Sequence, residues 1–184
     1  MGGAAPLDLA VQLKPDTLRA RLRRDTRAAH ERVDAAAGSL DLTQADHRAR
    51  FVQAHARAYH ALAAKGVTLD GLIAHRLARA ARDADALGIA LEADAVEGAP
   101  SLQGSEAALG VGYVLGGSHL GNRMLARDWP GESALLADSR LGDHWRALLP
   151  ALRDHAATGA RADRVLAAAL DTFAVFERAF AAHR

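Results

Sequence analysis

Five glycines lie within the twelve residues Gly110-Val-Gly-Tyr-Val-Leu-Gly-Gly-Ser-His-Leu-Gly121, in a stretch that otherwise favours a helix. Each glycine in a helix interior costs about 1 kcal/mol relative to alanine, and alanine is abundant in the rest of this chain. We therefore expect another group to approach the backbone of this segment closely. Two interpretations fit: a second helix packs against it, or a flat ligand lies on it.

The composition predicts that this helix belongs to an all-α protein. The chain has 184 residues, of which half are apolar and only 4% aromatic, with five prolines, and its length suits one hydrophobic core. Apolar residues recur at steps of three and four, which predicts helices at about 16–37, 43–66, 69–87, 105–127, 141–157 and 161–182. Shorter helical pieces are expected within 88–104 and at 132–138. The expected architecture is a single compact multi-helix domain at 16–184, preceded by a flexible N-terminus at 1–15.

Two capping residues are expected from the flanking sequence. Asp16 is the predicted N-cap of the first helix, and Gly38 its stop. The sequence Thr43-Gln-Ala-Asp46 is a variant of the capping box and predicts the start of the second helix.

Charge, cysteine content and spacing exclude several classes of protein. The 23 basic and 22 acidic residues leave a net charge of +1, which gives no support for nucleic-acid binding. The absence of cysteine excludes disulfides, iron–sulfur clusters and cysteine zinc sites. The glycine-rich segment has neither the spacing of a dinucleotide-binding motif nor that of a nucleophile elbow, and no Glu-x-x-His pair is present. With no secretory signal and no apolar run long enough to span a bilayer, we expect a cytoplasmic protein that does not insert into membranes.

One of the nine histidines has notable neighbours in the sequence. Arg23 and Arg27 precede His30 by seven and three residues, so all three side chains project from one side of the first helix. A neutral imidazole can ligate iron while arginines pair with carboxylates at the edge of a porphyrin. The alternative is a surface histidine beside solvated arginines. His55 is expected to be a hydrogen-bonded core residue, and six others to be mostly solvated: His47, His60, His75, His144, His155 and His183.

The glycine-rich helix favours the porphyrin interpretation of His30. Tyr113, Gly117, Gly121 and Met124 follow one another at steps of four, four and three residues and therefore share one helix face. Such a face would let a planar macrocycle approach the backbone and would leave a small pocket for O₂. Its alternative is a stripe of small residues that serves only helix packing.

Three segments, in this order and spacing, resemble one known family. They are Leu22-Arg-Arg-Asp-Thr-Arg-Ala-Ala-His30-Glu-Arg, Tyr113-Val-Leu-Gly-Gly-Ser-His-Leu-Gly-Asn122 and Thr172-Phe-Ala-Val-Phe176. They are similar to the proximal segment, the distal helix and the last helix of the bacterial haem oxygenases, and most closely to the branch that supplies biliverdin to bacteriophytochromes. The similarity covers roughly residues 17–180.

The resemblance implies a fold in which haem (iron protoporphyrin IX, both cofactor and substrate) is sandwiched between a proximal and a distal helix. The implied reaction uses O₂ and electrons from a ferredoxin or a reductase to convert haem to biliverdin, carbon monoxide and ferrous iron, with a bacteriophytochrome as a possible recipient of the biliverdin. The resemblance implies that His30 ligates the iron and that Arg23 and Arg27 bind the propionates. On the distal side it implies that Tyr113 contacts the haem and that Gly117 and Gly121 kink the helix over it. Ser118 is implied to join a polar network that orders water.

Two positions depart from the pattern of the family. Gly116 stands where the distal motif usually has Glu, and Asn122 where it usually has Gly. Either change could alter activity or regioselectivity, and either could mark a haem carrier or sensor that does not degrade haem. A helical protein without haem, whose glycines serve only packing, is the third possibility.

Overall fold

Helices make up most of the chain that the structure describes. The structure is a computed structural model and describes residues 17–67, 69–92 and 104–182. Its helices are α1 (Leu18–Asp25), α2 (Arg27–Gly38), α3 (Ala45–Ala64), α4 (Leu72–Leu87), α5 (Gly104–Gly117), α6 (His119–Leu125), α7 (Arg140–Asp154) and α8 (Ala160–Ala181). Among the described residues, β-type pairing is confined to one bridge between Thr17 and Ala156. The predicted all-α fold is confirmed.

The last helix, α8, lies at the centre of the fold, because α1, α2, α3 and α5 all pack against it. Residues on two successive stretches of α8 belong to two different hydrophobic clusters. Val165, Ala169 and Phe173 recur every four residues and join the cluster that holds α1, α2, α5 and α7. Phe176 and Phe180 join the larger cluster built mainly on α3 and α4. One helix thus connects the glycine-rich helix to the rest of the core.

Two of the predicted helices are interrupted at a single hydroxyl residue. The helix expected at 16–37 breaks at Thr26, whose hydroxyl donates to the Leu22 carbonyl at 2.7 Å. The helix expected at 105–127 breaks at Ser118, whose hydroxyl donates to the Leu115 carbonyl at 2.8 Å. In both places a side chain competes with the backbone for a helix carbonyl, which favours a bend.

Two predicted helix starts were wrong. Helix α3 has no capping box, because the Thr43 hydroxyl donates to Asp41 at 2.6 Å and the helix begins only at Ala45. Helix α4 begins at Leu72 because Leu69 and Asp70 have positive φ angles, 46° and 52°.

The helix expected at 132–138 is a series of turns instead. The buried carboxylate of Asp83 organises these turns, since it accepts hydrogen bonds from the Ser133 hydroxyl and from the amides of Ala134 and Leu135.

Some predictions fall partly or wholly outside the described residues. These are the flexible N-terminus at 1–15, the Asp16 cap and most of the helical piece within 88–104. Within the described range, Thr17 is the N-cap of α1, and its hydroxyl accepts from the amide of Ala20 at 3.3 Å.

Candidate functional site

Three of the five glycines lie against neighbouring helices. A β-carbon at Gly110 would lie 2.5 Å from the Val165 carbonyl oxygen of α8, and one at Gly116 would lie 3.2 Å from the Cα atom of Trp145 in α7. Gly112 also faces α7. Because the first two contacts are with backbone or backbone-bound atoms, no side-chain rotation could relieve them. The helix-packing interpretation therefore holds for Gly110 and Gly116, whereas Gly112 meets the end of the His144 side chain.

The other two glycines, Gly117 and Gly121, lie on an open surface. A β-carbon at Gly121 would meet nothing within 4 Å, and one at Gly117 would only touch the Trp145 ring at 3.9 Å. On the same side of α6, Leu120 is 59% exposed and Met124 is 65% exposed. We call Gly117, Leu120, Gly121 and Met124 the open glycine face. An exposed apolar face of this kind is typical of a surface that binds a ligand or a partner.

The break between α5 and α6 is stabilised by two side chains that occupy helix carbonyls. The Ser118 hydroxyl donates to the Leu115 carbonyl, and the His119 Nδ1 lies 2.8 Å from the Gly116 carbonyl. Because a carbonyl only accepts, Nδ1 of His119 carries the proton. The hydroxyl proton of Ser118 is committed to the backbone, which leaves only the lone pairs of that oxygen for the polar network expected there.

The imidazole of His30 on α2 is half exposed and has a defined orientation. Its Nδ1 atom lies 2.8 Å from Oδ2 of Asp34, one helical turn further along. Its ring also meets the edge of Phe173 on α8, with 5.6 Å between ring centroids. With Nδ1 donating to a carboxylate, the neutral ring keeps its lone pair on Nε2, the arrangement that is typical of metal-ligating histidines. Sequence reasoning missed Asp34, although its spacing of four residues from His30 was a usable signal.

Helix α8 relates His30 to the glycine-rich helix. Helices α2 and α5 both pack against α8, and Ala29, Val114 and Phe173 belong to one hydrophobic cluster. His30 follows Ala29 directly, and the open glycine face begins one turn after Val114. Among the described residues no hydrogen bond or ring contact joins His30 to this face. The structure therefore packs both helices against α8.

Arg23 and Arg27 line a positively charged groove along the outer side of α1 and the start of α2. The groove has a volume of about 680 Å³, and its described lining includes Arg19 and Arg24 as well. Arg27 pairs with Glu31 at 3.3 Å, but both side chains are largely exposed, so this pair is weak and an anion can displace it.

Tyr113 is half-buried and connects α5 to the arginine-bearing helix. Burial raises the pKa of its hydroxyl, although a hydrogen bond with Thr26 and the charges of Arg19 and Arg23 act in the opposite direction. The predicted face that joins Tyr113 to Gly117, Gly121 and Met124 is therefore not continuous. Tyr113 points into the core beside α1, whereas the other three positions are exposed.

Of the remaining histidines, His55 is buried as predicted, and its Nδ1 lies 3.0 Å from the Phe51 carbonyl. The five described histidines that were expected to be solvated, His47, His60, His75, His144 and His155, are all partly buried and so are less solvated than predicted. His75 is hydrogen-bonded to the buried Asp138 at 3.1 Å, and His144 is half-buried against Gly112. His183 lies outside the described residues. No group of three or more potential metal ligands occurs in the described part of the chain.

No protein-family model matches the sequence, and no curated protein matches it. None of the described helices is both long enough and apolar enough to cross a bilayer. The function of the chain is therefore inferred from its residues and their geometry.

Proposed function

We propose that the chain is a haem oxygenase that binds haem between His30 and the open glycine face. With O₂ and electrons from a ferredoxin or a reductase, it converts haem to biliverdin, carbon monoxide and ferrous iron. The redox chemistry is supplied by the bound haem itself, and the protein contributes binding, orientation and electrostatics. The observation that carries the proposal is the half-exposed imidazole of His30, whose Nδ1 is held by the carboxylate of Asp34.

The donor set and the open surface both fit a haem. His30 offers a neutral Nε2 as an axial ligand, and a single histidine is sufficient because the porphyrin supplies the other four nitrogens. Gly117 and Gly121 leave room for a planar ring against the backbone. Leu120 and Met124, which are otherwise exposed, would be covered by the apolar part of the macrocycle.

Arg23 and Arg27 are the residues that we assign to the haem propionates. Both line the positively charged groove on α1 and the start of α2, and Arg27 precedes His30 by three residues on α2. Arginine binds carboxylates through parallel hydrogen bonds, which adds orientation to affinity. In this assignment Tyr113 lies on the core side of the propionate site, where the charge of Arg23 acts on the pKa of its hydroxyl.

The proposed setting follows from the product. Biliverdin made in the cytoplasm would be available to a bacteriophytochrome, the recipient that the resemblance implies. This part of the proposal is tested separately, by asking whether the purified chain delivers its product to an apo-bacteriophytochrome.

A haem carrier or sensor is the second candidate function, and one observation favours it. The hydroxyl proton of Ser118, at the break between α5 and α6, is committed to the Leu115 carbonyl. The break thus offers few groups that could deliver a proton to the reacting O₂. Such a protein would bind haem through His30 and release it to an acceptor unchanged.

Titration of the purified protein with haem tests both candidates. We expect saturable binding with a stoichiometry of one haem, loss of the histidine-ligated spectrum in His30→Ala, and its recovery when imidazole is added. His60→Ala, on α3, is the matched control and should bind haem as the wild type does. O₂ and a reductant should then produce biliverdin, identified by chromatography. An intact haem spectrum after prolonged reaction would favour the carrier, and no saturable binding would exclude both functions.

A second variant tests the place of the haem. Gly121→Leu puts a branched side chain on a surface where a β-carbon meets nothing within 4 Å, so the apoprotein should fold normally. The same side chain would fill the space that the macrocycle needs. We expect haem affinity and turnover to fall sharply, and retained turnover would contradict close approach of haem to α6.

A further inference from the structure

Trp145 of α7 contacts the glycine-rich segment on both sides of its break. Before the break, its ring centroid lies 5.9 Å from that of Tyr113, and its Cζ3 atom would be 3.9 Å from a β-carbon at Gly117. After the break, its ring centroid lies 6.3 Å from that of His119. One indole therefore touches the end of α5 and the start of α6.

The base of this side chain is fixed by backbone packing. A β-carbon at Gly116 would lie 3.2 Å from the Cα atom and 3.4 Å from the Cβ atom of Trp145. Only glycine allows α5 to approach α7 this closely without a shift of one helix. The carboxylate that the family pattern has at this position would point into α7 and not toward the open glycine face. The unexpected glycine at 116 is thus explained by the position of Trp145.

The far side of the indole is held by α1. The guanidinium carbon of Arg19 lies 5.8 Å from the centre of the Trp145 ring, within the range of a cation–π interaction. Because Arg19 comes from the helix that also carries Arg23, the indole links the arginine-bearing side of the molecule to the break. The ring is therefore held by α1, α5 and α6 together.

At the break the side chains of Ser118 and His119 bond helix carbonyls, but the backbone amide of Ser118 is only loosely bonded. The amide of Ser118 shares two long bonds, to the Val114 and Leu115 carbonyls at 3.2 and 3.3 Å. We infer that Trp145 is a positioning residue that fixes the angle between α5 and α6, and thereby the distance of the open glycine face from a bound haem. The part of this inference that concerns haem rests on the proposed function; the part that concerns the helix angle does not.

A distance measurement on the haem-free protein tests the helix angle. The chain has no cysteine, so spin labels can be attached through Arg123→Cys on α6 and Ala167→Cys on α8, both exposed positions. We expect Trp145→Ala to broaden or shift the distance distribution between the labels, and Trp145→Phe to do so less. An unchanged distribution in Trp145→Ala overturns the inference, whether or not the protein binds haem.

Leu148→Ala is the matched control for this measurement. Leu148 lies one turn further along α7 and meets the glycine-rich helix only before the break, where its Cδ1 atom would be 3.6 Å from a β-carbon at Gly112. Its truncation should lower stability but leave the distance distribution unchanged. An equal change in Leu148→Ala and Trp145→Ala would show that any loss of packing on α7 disturbs α6, which also overturns the inference.

Ligand binding to the haem-loaded protein tests the effect on the pocket. If the open glycine face restricts access, imidazole should bind the ferric haem of Trp145→Ala about tenfold more tightly than that of the wild type, while cyanide affinity changes little. Equal changes for both ligands, or none, overturn the role of Trp145 at the pocket. Failure of the wild type to bind haem overturns the proposed function alone, and the label distances then decide the inference.

Discussion

His30 and Asp34 form a hydrogen bond across one turn of α2, with 2.8 Å between Nδ1 and Oδ2. Both side chains are more than half exposed, so the bond contributes little to the stability of the fold. Its consequence is chemical. It fixes the ring orientation and the tautomer of His30, so that the free lone pair lies on Nε2.

Asp34→Asn should therefore weaken haem binding without unfolding the protein. An asparagine oxygen still accepts from Nδ1, but the loss of the negative charge weakens this bond and holds the orientation of the His30 ring less firmly. We expect haem affinity to fall by about 10- to 100-fold, the range found when partners of metal-ligating histidines are replaced. Haem titration measures the affinity, and thermal unfolding of the apoprotein checks the fold.

Glu31→Gln is the control for this change. Glu31 is an equally exposed carboxylate on the same helix, but it pairs with Arg27 and not with His30. Its replacement should leave iron ligation unchanged. If both variants lose affinity to the same extent, the effect comes from net charge and not from the orientation of His30.

The buried His55 should make the protein less stable as the pH falls below about 6.5. Burial lowers the pKa of this imidazole to about 4, although its bond to the Phe51 carbonyl acts in the opposite direction. In the unfolded chain the same group has a pKa near 6.5. Between these values the unfolded state binds more protons than the folded state, so the free energy of unfolding falls as the pH is lowered. Above pH 6.5 the imidazole is neutral in both states and has no effect.

The size of this effect at pH 5 is about 2 kcal/mol, because pH 5 lies about 1.5 units below the pKa of the imidazole in the unfolded chain and above its pKa in the folded protein. Urea unfolding at pH 7.5 and pH 5 measures it. In His55→Gln, which lacks the titrating group, the difference between the two pH values should shrink by about this amount. The same difference in both proteins would show that other groups cause the loss.

Hydrophobic periodicity predicted where the long helices lie and much of their buried faces. Leu18, Leu22 and Ala29 are buried as the spacing required. The breaks at Thr26 and Ser118 were not predicted, because each depends on a side-chain bond to a helix carbonyl that periodicity does not show. The turns at 132–138 depend on Asp83, which is distant in sequence, so no local pattern could have indicated them.

The candidate site was predictable only in part, for a similar reason. A run of glycines indicates that something approaches closely, but not which side of the helix each glycine faces. Gly116 and Gly117 are adjacent in sequence, yet the first lies against α7 and the second lies open. That difference depends on Trp145, which comes close to Gly116 only through the tertiary fold.

The buried ion pair of Arg76 and Asp138 should be essential to the fold. Both side chains are almost fully buried and are joined at 2.9 Å, and Arg76 also donates to the Tyr59 hydroxyl and the Leu135 carbonyl. Asp138→Asn removes the only negative charge of this group and leaves a buried guanidinium without its counter-charge. We expect a loss of about 3–5 kcal/mol in the free energy of unfolding.

Chemical denaturation measures this loss, and Asp143→Asn is its control. Asp143 pairs with Arg146 on the surface of α7, where both side chains are well exposed. An exposed pair of this kind contributes at most about 1 kcal/mol. Similar losses in the two variants would mean that the Arg76 cluster is more accessible to water than its burial indicates.

The clearest contrast within the glycine-rich segment is between Gly110 and Gly121. Both lie in helices and neither has a positive φ angle, so an added methyl group should raise intrinsic helix stability at both positions by about 1 kcal/mol. Their surroundings differ. At Gly121 the new β-carbon meets nothing within 4 Å, whereas at Gly110 it would lie 2.5 Å from the Val165 carbonyl oxygen and 2.8 Å from the Ala168 β-carbon.

Gly121→Ala should therefore stabilise the apoprotein, and Gly110→Ala should destabilise it by about 1–3 kcal/mol or more, because α5 must move away from α8. The midpoints of urea unfolding at neutral pH measure both changes in parallel. Equal effects at the two positions would contradict the assignment of one glycine to packing and the other to an open surface. If the second is open because haem binds there, Gly121→Ala should also lower haem affinity while it raises stability, a combination that helix propensity alone does not produce.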